Sequence, residues 1–304
     1  MSQLLKWCFY LLLMIAPCSS CRALIVGSYN IRYANDGDVA KGNGWAQRAP
    51  VVAKIIQFHD FDVIGTQEVL RNQIADLENL LPEYGRCGVG RNDGREKGEY
   101  AAIFYKKSKL TVLNSGTFWL SATPGIPSIG WDADHPRICT WAKFKPVDGS
   151  EPFFAFNTHL DQKGKVARIQ SVQLILSAIK NIAGGQRSFV TGDFNFDQSS
   201  EGYKNLLAPG ILFDSFISVT DRYALTGTTN GFNINSRSES RIDHILHTSD
   251  FKPRRYGILT DSYRAAVVAD KVGTEQPASF PADEKMKEYQ ARLPSDHFPV
   301  LVEF

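Results

Sequence analysis

Residues 188–197 read SFVTGDFNFD. Ser188 to Thr191 have the β-branched and aromatic character of a short buried strand. The strand runs into Gly192 and then alternates acid, aromatic, amide, aromatic and acid. Asp193 and Asn195 stand two apart, so on an extended chain they leave the same face. The simplest account is an Asx turn, in which short side chains bond their own backbone after a strand. Asp193, Asn195 and Asp197 also match the first ligand positions of a calcium loop. Gln198 stands where that loop needs glycine and Lys204 where it needs a bidentate glutamate, so the calcium reading is rejected.

The company of this segment points elsewhere. Asn30 lies in SYNIR, Glu68 in GTQEV, and His159 in FNTHLD. Asp243 and His244 lie in RIDHIL, and Asp296 and His297 in PSDHFPV. Each sits at or near the end of an apolar run. Of the six histidines, three fall in these segments, which singles them out for chemistry. One such group alone is more often a cap or a satisfied core residue; the set together marks a site. Carboxylates, amides and imidazoles suit Mg²⁺ or Mn²⁺, and the lack of a thiolate among them argues against structural zinc.

Periodicity places these groups on elements. ALIVGSYNIRY reads as a strand, Trp45 to His59 as a helix, and FDVIGTQEV as a strand ending in an acid. A helix with Ile74, Leu77 and Leu81 on one face stops near Pro82. YAAIFYKK, TVLNSGTFWL, RICTWAKFK and FFAFNTHL are strands. Arg168 to Lys180 is a second clear amphipathic helix, and SFVTGDFN follows it. RIDHILHT, a strand around VVAD, a polar connection over 271–294 and SDHFPVLVEF complete the chain. Strand, helix and acid-ended strand thus occur twice, at Glu68 and at Asp193. Many strands with two main helices in matching places predict two packed sheets with helices outside.

Residues 1–23 differ in kind. Lys6 precedes an apolar run to Pro17, followed by small residues. This is the pattern of an export signal, and the run is too short for a bilayer span. Cleavage after Ala23, or a lipoprotein signal with Cys18 or Cys21 carrying lipid, are both open. The remaining 24–304 reads as one catalytic domain. Removing Lys6 and Arg22 from 34 basic residues leaves 32, equal to the 32 acidic ones. A net charge of zero supplies no general field for gathering nucleic acid. Cys87 and Cys139 alone then remain, so no disulfide framework is implied, and a single bridge stays open.

Other enzyme classes lack their signatures. There is no G-x-S-x-G elbow and no G-x-x-x-x-G-K-[ST] loop, and GVGRND fails the dinucleotide pattern at its last glycine.

Together QE, THL, GDFN, DHI and SDHFPV resemble the endonuclease/exonuclease/phosphatase superfamily, in the same order and over essentially all of 24–304. The resemblance implies an α/β fold: a four-layer sandwich of two packed, mostly antiparallel sheets flanked by helices, with the site at the mouth between them. It implies that Asn30, Glu68 and Asp296 hold one or two Mg²⁺ or Mn²⁺ ions. Asp193 would activate the attacking water, with Asn195 beside it. His159 would contact a phosphate oxygen, and Asp243 would fix His297 against the phosphoryl group.

The resemblance leaves the substrate open. Trp119, Trp131, Asp132 and Arg137, in FWLSATPGIPSIGWDADHPR, are candidate contacts, as are Glu99 and Tyr100 in GRNDGREKGEY. The mixed charges of that second stretch, Arg91 among them, read as a solvated hairpin. Arg48 and Arg168 read as structural or rim residues. The expected protein is an exported, monomeric phosphoesterase acting on a phosphate ester such as a phosphosugar. It would reside in the periplasm, on the outer membrane as a lipoprotein, or outside the cell. The alternatives are a nuclease, a sphingomyelinase-like phosphodiesterase, and an inactive surface-binding protein.

Overall fold

The structure, a computed structural model, describes residues 23–266 and 289–304. Residues 1–22 of the expected export signal and the expected strand around VVAD therefore lie outside the described residues. So does the polar connection as far as residue 288.

Seven strands form one sheet, in the order β10 (Asp221–Tyr223), β12 (Arg255–Ile258), β15 (Val300–Glu303), β1 (Ile25–Asn30), β2 (Val63–Val69), β4 (Tyr100–Lys106) and β3 (Tyr84–Cys87). Six form the other: β5 (Leu110–Trp119), β6 (Ile138–Pro146), β7 (Phe153–His159), β8 (Ser188–Asp193), β11 (Asp243–His247) and β9 (Phe213–Asp214). β13 (Tyr263–Ala266) and β14 (Tyr289–Arg292) pair with each other, so the end of the expected connection is a strand. The helices are α1 (Asp36–Ala40), α2 (Trp45–Phe58), α3 (Arg71–Leu80), α4 (Lys165–Ala178), α5 (Glu201–Leu207) and α6 (Ser215–Ser218). A π-turn, Ile179–Ala183, extends α4.

The repeat seen in the sequence is the frame of the fold. β1 and β2 run parallel with α2 between them, and β7 and β8 run parallel with α4 between them. A parallel pair needs such a crossover, because a tight turn reverses the chain. Apart from β10 with β12, the remaining pairings are antiparallel.

Alternation of side chains then sorts the residues into layers. Val26, Val63, Phe153, Ala155, Phe189 and Ile245 meet between the sheets. Tyr29, Ile64 and Phe104 face the other way, onto Val52, Ile56, Ile74 and Leu77 of α2 and α3. Phe154, Phe156, Val190 and Leu246 pack on Val172, Ile175 and Leu176 of α4. The result is the expected α/β sandwich, helix–sheet–sheet–helix. Its central strands are covered on both faces, which is why Phe153–His159 is buried throughout and reads as a nearly continuous apolar run.

α4 starts at Lys165, earlier than periodicity predicts. Asp132 accepts hydrogen bonds from the N–H groups of Val166 (3.2 Å) and Ala167 (2.6 Å). An acid at this end satisfies orphan donors and suits the helix dipole. Asp132 is therefore a helix cap rather than a substrate contact. Cys87 and Cys139 are free and buried, each in a different core cluster, so they form no bridge.

Candidate active site

The inward-facing residues change character along the strands. Val26, Phe153 and Phe189 are apolar. Next comes a belt of Ser28, Gln67, Asn157 and Thr191, each fully or almost fully buried. Last, at the mouth, stand Asn30, His159, Asp193 and Asp243, two residues further along β1, β7 and β8 and at the head of β11. Period two thus carries one face of each strand from core to site.

The belt joins the sheets. Asn157 Oδ1 accepts from Gln67 Nε2 (2.7 Å) and Thr191 Oγ1 (3.0 Å). Its Nδ2 donates to the carbonyls of Thr66 and Ala102, both at 2.9 Å. All four valences of this buried amide are filled, as burial demands.

Glu68 breaks the alternation. Gln67 already faces inward, so Glu68 on a regular strand would face the helices. A bulge between Thr66 and Val69, with Glu68 at φ +62°, turns its carboxylate into the mouth. There Oε1 accepts from Asn30 Nδ2 (3.0 Å) and Oε2 from the Tyr33 N–H (3.2 Å).

Asn30 Nδ2 also donates to Asp193 Oδ2, at 3.0 Å. Asn30 thereby ties the acids of the two sheets together, while its Oδ1 accepts from the Arg32 N–H at 3.0 Å. The amide was expected as a metal ligand; here its nitrogen, a donor, faces the carboxylates. Asp193 is 2% exposed. Burial, reinforced by the charge of Asp243, pushes its carboxyl up to about 7, against the pull of His297, Asn30 and the Asn195 N–H.

The chain leaves β8 through Asn195 at φ +51°. Extended geometry therefore ends at Asp193, and the two side chains converge by a turn instead. Asp193 Oδ1 accepts from the Asn195 N–H (2.9 Å), an Asx turn, while Asn195 Nδ2 reaches His159 Nε2 and the Leu160 carbonyl, both at 3.0 Å. The turn and the site are the same feature.

The histidines are held in opposite states. Burial, then the charges of Arg137, Arg91 and His297, keep His159 well below the usual imidazole range. It is neutral, and its Nε2 accepts from Asn195. Burial also opposes charge on His297, but Asp243, Asp193 and Asp296 outweigh it and hold the ring protonated well above that range. His297 Nδ1 lies 2.9 Å from Asp243 Oδ2, and its Nε2 lies 3.9 Å from Asp193 Oδ2. One neutral imidazole and one imidazolium beside a carboxylate near neutrality form a division of labour for proton chemistry.

Asp296 is raised by burial, and Arg32 Nη1 approaches its Oδ2 at 3.4 Å. Glu68, Asp193, Asp243 and Asp296 thus crowd one mouth, and Asp243 Oδ1 is buried with no hydrogen-bond partner. Asp193, Asp243 and His297 bring ligand atoms within 4.8 Å of one another. A protonated His297 has no free lone pair, so the carboxylate oxygens of the mouth are the better hard donors. This acid-rich, oxygen-donor mouth fits a divalent cation.

The remaining expected contacts fall in different settings. Tyr100 is built into the core between α3 and the first sheet, its hydroxyl donating to the Arg95 carbonyl at 3.1 Å. Trp119 is 5% exposed and acts as a plug, its Nε1 donating to the Arg91 carbonyl at 2.7 Å. Trp131 is exposed on the loop that Asp132 pins to α4. Glu99 and Arg137 are interior, and so is Arg91, which had read as part of a solvated hairpin. Arg91 grips Glu99 bidentately at 2.8 and 2.9 Å. Arg48 is wholly buried and structural; it donates to the carbonyls of Asn43, Ile31, Arg32 and Pro294, fastening the loop after β1 to the segment before His297.

Residues 27–297 match the model of the endonuclease/exonuclease/phosphatase family. A solved member of that family from Bacteroides thetaiotaomicron is 47% identical, covering 92% of this chain and 97% of its own, with a TM-score of 0.84. A mannosyl-6-phosphatase from the same organism is 46% identical, with 92% and 98% covered and a TM-score of 0.84. An uncharacterized protein of Acanthamoeba polyphaga mimivirus is 26% identical over 86% of this chain and 92% of its own. The family match and the shared fold agree: the chain belongs to the endonuclease/exonuclease/phosphatase family of phosphoester hydrolases.

Proposed function

We propose that this protein is a divalent-metal-dependent phosphatase that releases phosphate from a phosphosugar or similar small monoester. One observation carries the chemistry: buried Asp193 lies between Asn195, His159 and the His297–Asp243 pair in an acid-rich mouth. The substrate class is supported by 46% identity to a mannosyl-6-phosphatase over nearly the full length of both chains.

In this reading, Asp193 in its ionised form takes a proton from a water placed in line with the scissile P–O bond. The water oxygen bonds to phosphorus. The ester P–O bond breaks with its electron pair going to the alcohol oxygen, which gains a proton from solvent. With its proton on Nε2, His159 would give up its contact with Asn195, and both side chains would then donate to non-bridging oxygens. Imidazolium His297, fixed by Asp243, faces the charge that builds there. Glu68 and Asp296 would hold one or two Mg²⁺ or Mn²⁺ ions, and Asn30 aligns Glu68 with Asp193. A bound divalent ion supplies charge neutralisation on the phosphoryl group and keeps these acids ionised. Export through residues 1–23 and action as a monomer belong to the same proposal. No helix of the described residues is long and apolar enough to cross a membrane.

The test is phosphate release from hexose 6-phosphates, beside bis(p-nitrophenyl) phosphate, sphingomyelin and plasmid DNA, with Mg²⁺, Mn²⁺ or chelator. The proposal expects the 6-phosphates to be preferred and chelation to abolish turnover. Preferred cleavage of DNA, or full activity in chelator, overturns it.

A further inference from the structure

Beyond the catalytic groups, two nearly enclosed guanidiniums beside the mouth, Arg91 and Arg137, have no place in the mechanism above. Arg137 directly precedes β6, whose Cys139 pairs with Thr158, so it stands beside the end of β7 that carries His159. Arg91 is clasped to Glu99, directly before Tyr100, which pairs with Val69 at the end of β2 next to Glu68. One arginine thus belongs to each sheet, and each stands one strand over from a residue of the site.

Both are held rigidly. Arg137 Nε donates to Asp161 Oδ2 at 3.2 Å, and Asp161 is itself fixed by the N–H groups of Gly164 (2.8 Å), Lys163 (2.9 Å) and Asp134 (3.1 Å). Arg91 is held by both oxygens of Glu99, and its carbonyl by Trp119. Their side chains are 11% and 4% exposed, for Arg91 and Arg137 respectively, yet each retains a buried N–H without a partner: Arg91 Nε and Arg137 Nη1. Buried donors are almost always satisfied, and an orphaned one on a cation is costly. The two charges also act on each other and on His159, which marks one shared neighbourhood that an anion would relieve.

We propose that Arg91 and Arg137 form the subsite for the non-bridging oxygens of a terminal phosphate and thereby set this enzyme to monoesters. This rests on the phosphatase reading above and names residues that choose within it. A monoester offers three non-bridging oxygens, enough to accept from the open N–H of each guanidinium as well as from the catalytic groups. A diester offers two such oxygens and one charge, and its second ester arm would have to fit against side chains that are almost fully enclosed.

The test compares wild type with Arg137→Ala, Arg137→Lys and Arg91→Ala on p-nitrophenyl phosphate and bis(p-nitrophenyl) phosphate. Inorganic phosphate binding is measured by titration calorimetry and folding by thermal melt. Arg137→Ala is expected to lose about 10- to 100-fold in monoester kcat/KM, the loss typical of a hydrogen bond to a charged group. The monoester-to-diester ratio should fall at least about tenfold, phosphate should bind correspondingly more weakly, and added guanidinium should restore part of the monoester rate. Arg137→Lys, which keeps the charge and loses the fork, should retain the fold and still lower the ratio. An unchanged ratio and unchanged phosphate affinity in folded variants overturns the subsite while leaving the phosphatase reading intact. A wild type that releases phosphate from neither p-nitrophenyl phosphate nor hexose 6-phosphates defeats both.

Discussion

Asn157→Leu is the sharpest structural test of how the two sheets are joined. The substitution keeps side-chain volume and removes four hydrogen bonds in a fully buried position. Thr191 Oγ1 retains the Phe156 carbonyl at 3.2 Å, and Gln67 Nε2 keeps only a long contact of 3.3 Å to Ser28. The Thr66 carbonyl and one Gln67 N–H are left exposed to apolar surroundings. Each orphaned group costs roughly 1–3 kcal/mol, so the variant should lose about 3–5 kcal/mol. For a domain of this size that is a fall of roughly 10 °C in melting temperature. Urea unfolding and thermal melts read it directly. Because Gln67 adjoins Glu68 and Thr191 lies two residues before Asp193, phosphatase activity should fall with it. An Asn157→Leu variant within about 1 kcal/mol of wild type would refute the view that this belt fastens the sheets.

Three further outcomes follow from the same geometry. Asp243→Asn should leave the fold intact and lower kcat by about 10²–10⁴, since His297 loses both its orientation and the charge that keeps it protonated; steady-state kinetics and a melt check this. Gly65→Ala should destabilise by roughly 1–3 kcal/mol in urea unfolding. Its methyl would lie 2.1 Å from Thr191 Oγ1 and 2.5 Å from Asn157 Oδ1. Burial alone would raise Asp161, but the N–H groups of Gly164 and Lys163, together with Arg137, bring it down to about 2 from the usual 3.8. Its contribution is therefore complete above about pH 4 and lost as pH falls through about 2. The stability gap between wild type and Asp161→Asn should shrink by up to about 2 kcal/mol over that range in urea titrations.

The fold was legible because periodicity and chain order carry it. The twice-repeated strand, helix and acid-ended strand is the βαβ frame of each sheet. Asn30, His159, Asp193 and Asp243 were legible because each continues the inward period of its strand. Glu68 was not derivable that way. Its place at a strand end marked it, but it faces the site through a bulge at a left-handed residue, which period two does not foresee. Arg91 was misread because the composition of residues 90–99 is that of a surface hairpin. Positive φ at Gly94 and Gly98 accompanies turns that bring Arg91 against Glu99, a contact that composition does not reveal. Trp119, Tyr100 and Asp132 have residue types common in binding sites, but their partners are the backbone and the core. Only tertiary neighbours distinguish those uses.

The central claim is that Asp193 activates water in a metal-loaded mouth. The most direct measurement is kcat and KM of Asp193→Asn on a hexose 6-phosphate at saturating Mg²⁺, with folding verified by circular dichroism. The amide keeps shape but cannot take the proton, so kcat should fall by about 10²–10⁴ with KM little changed. A folded Asp193→Asn protein that retains more than about a tenth of wild-type kcat would contradict the account.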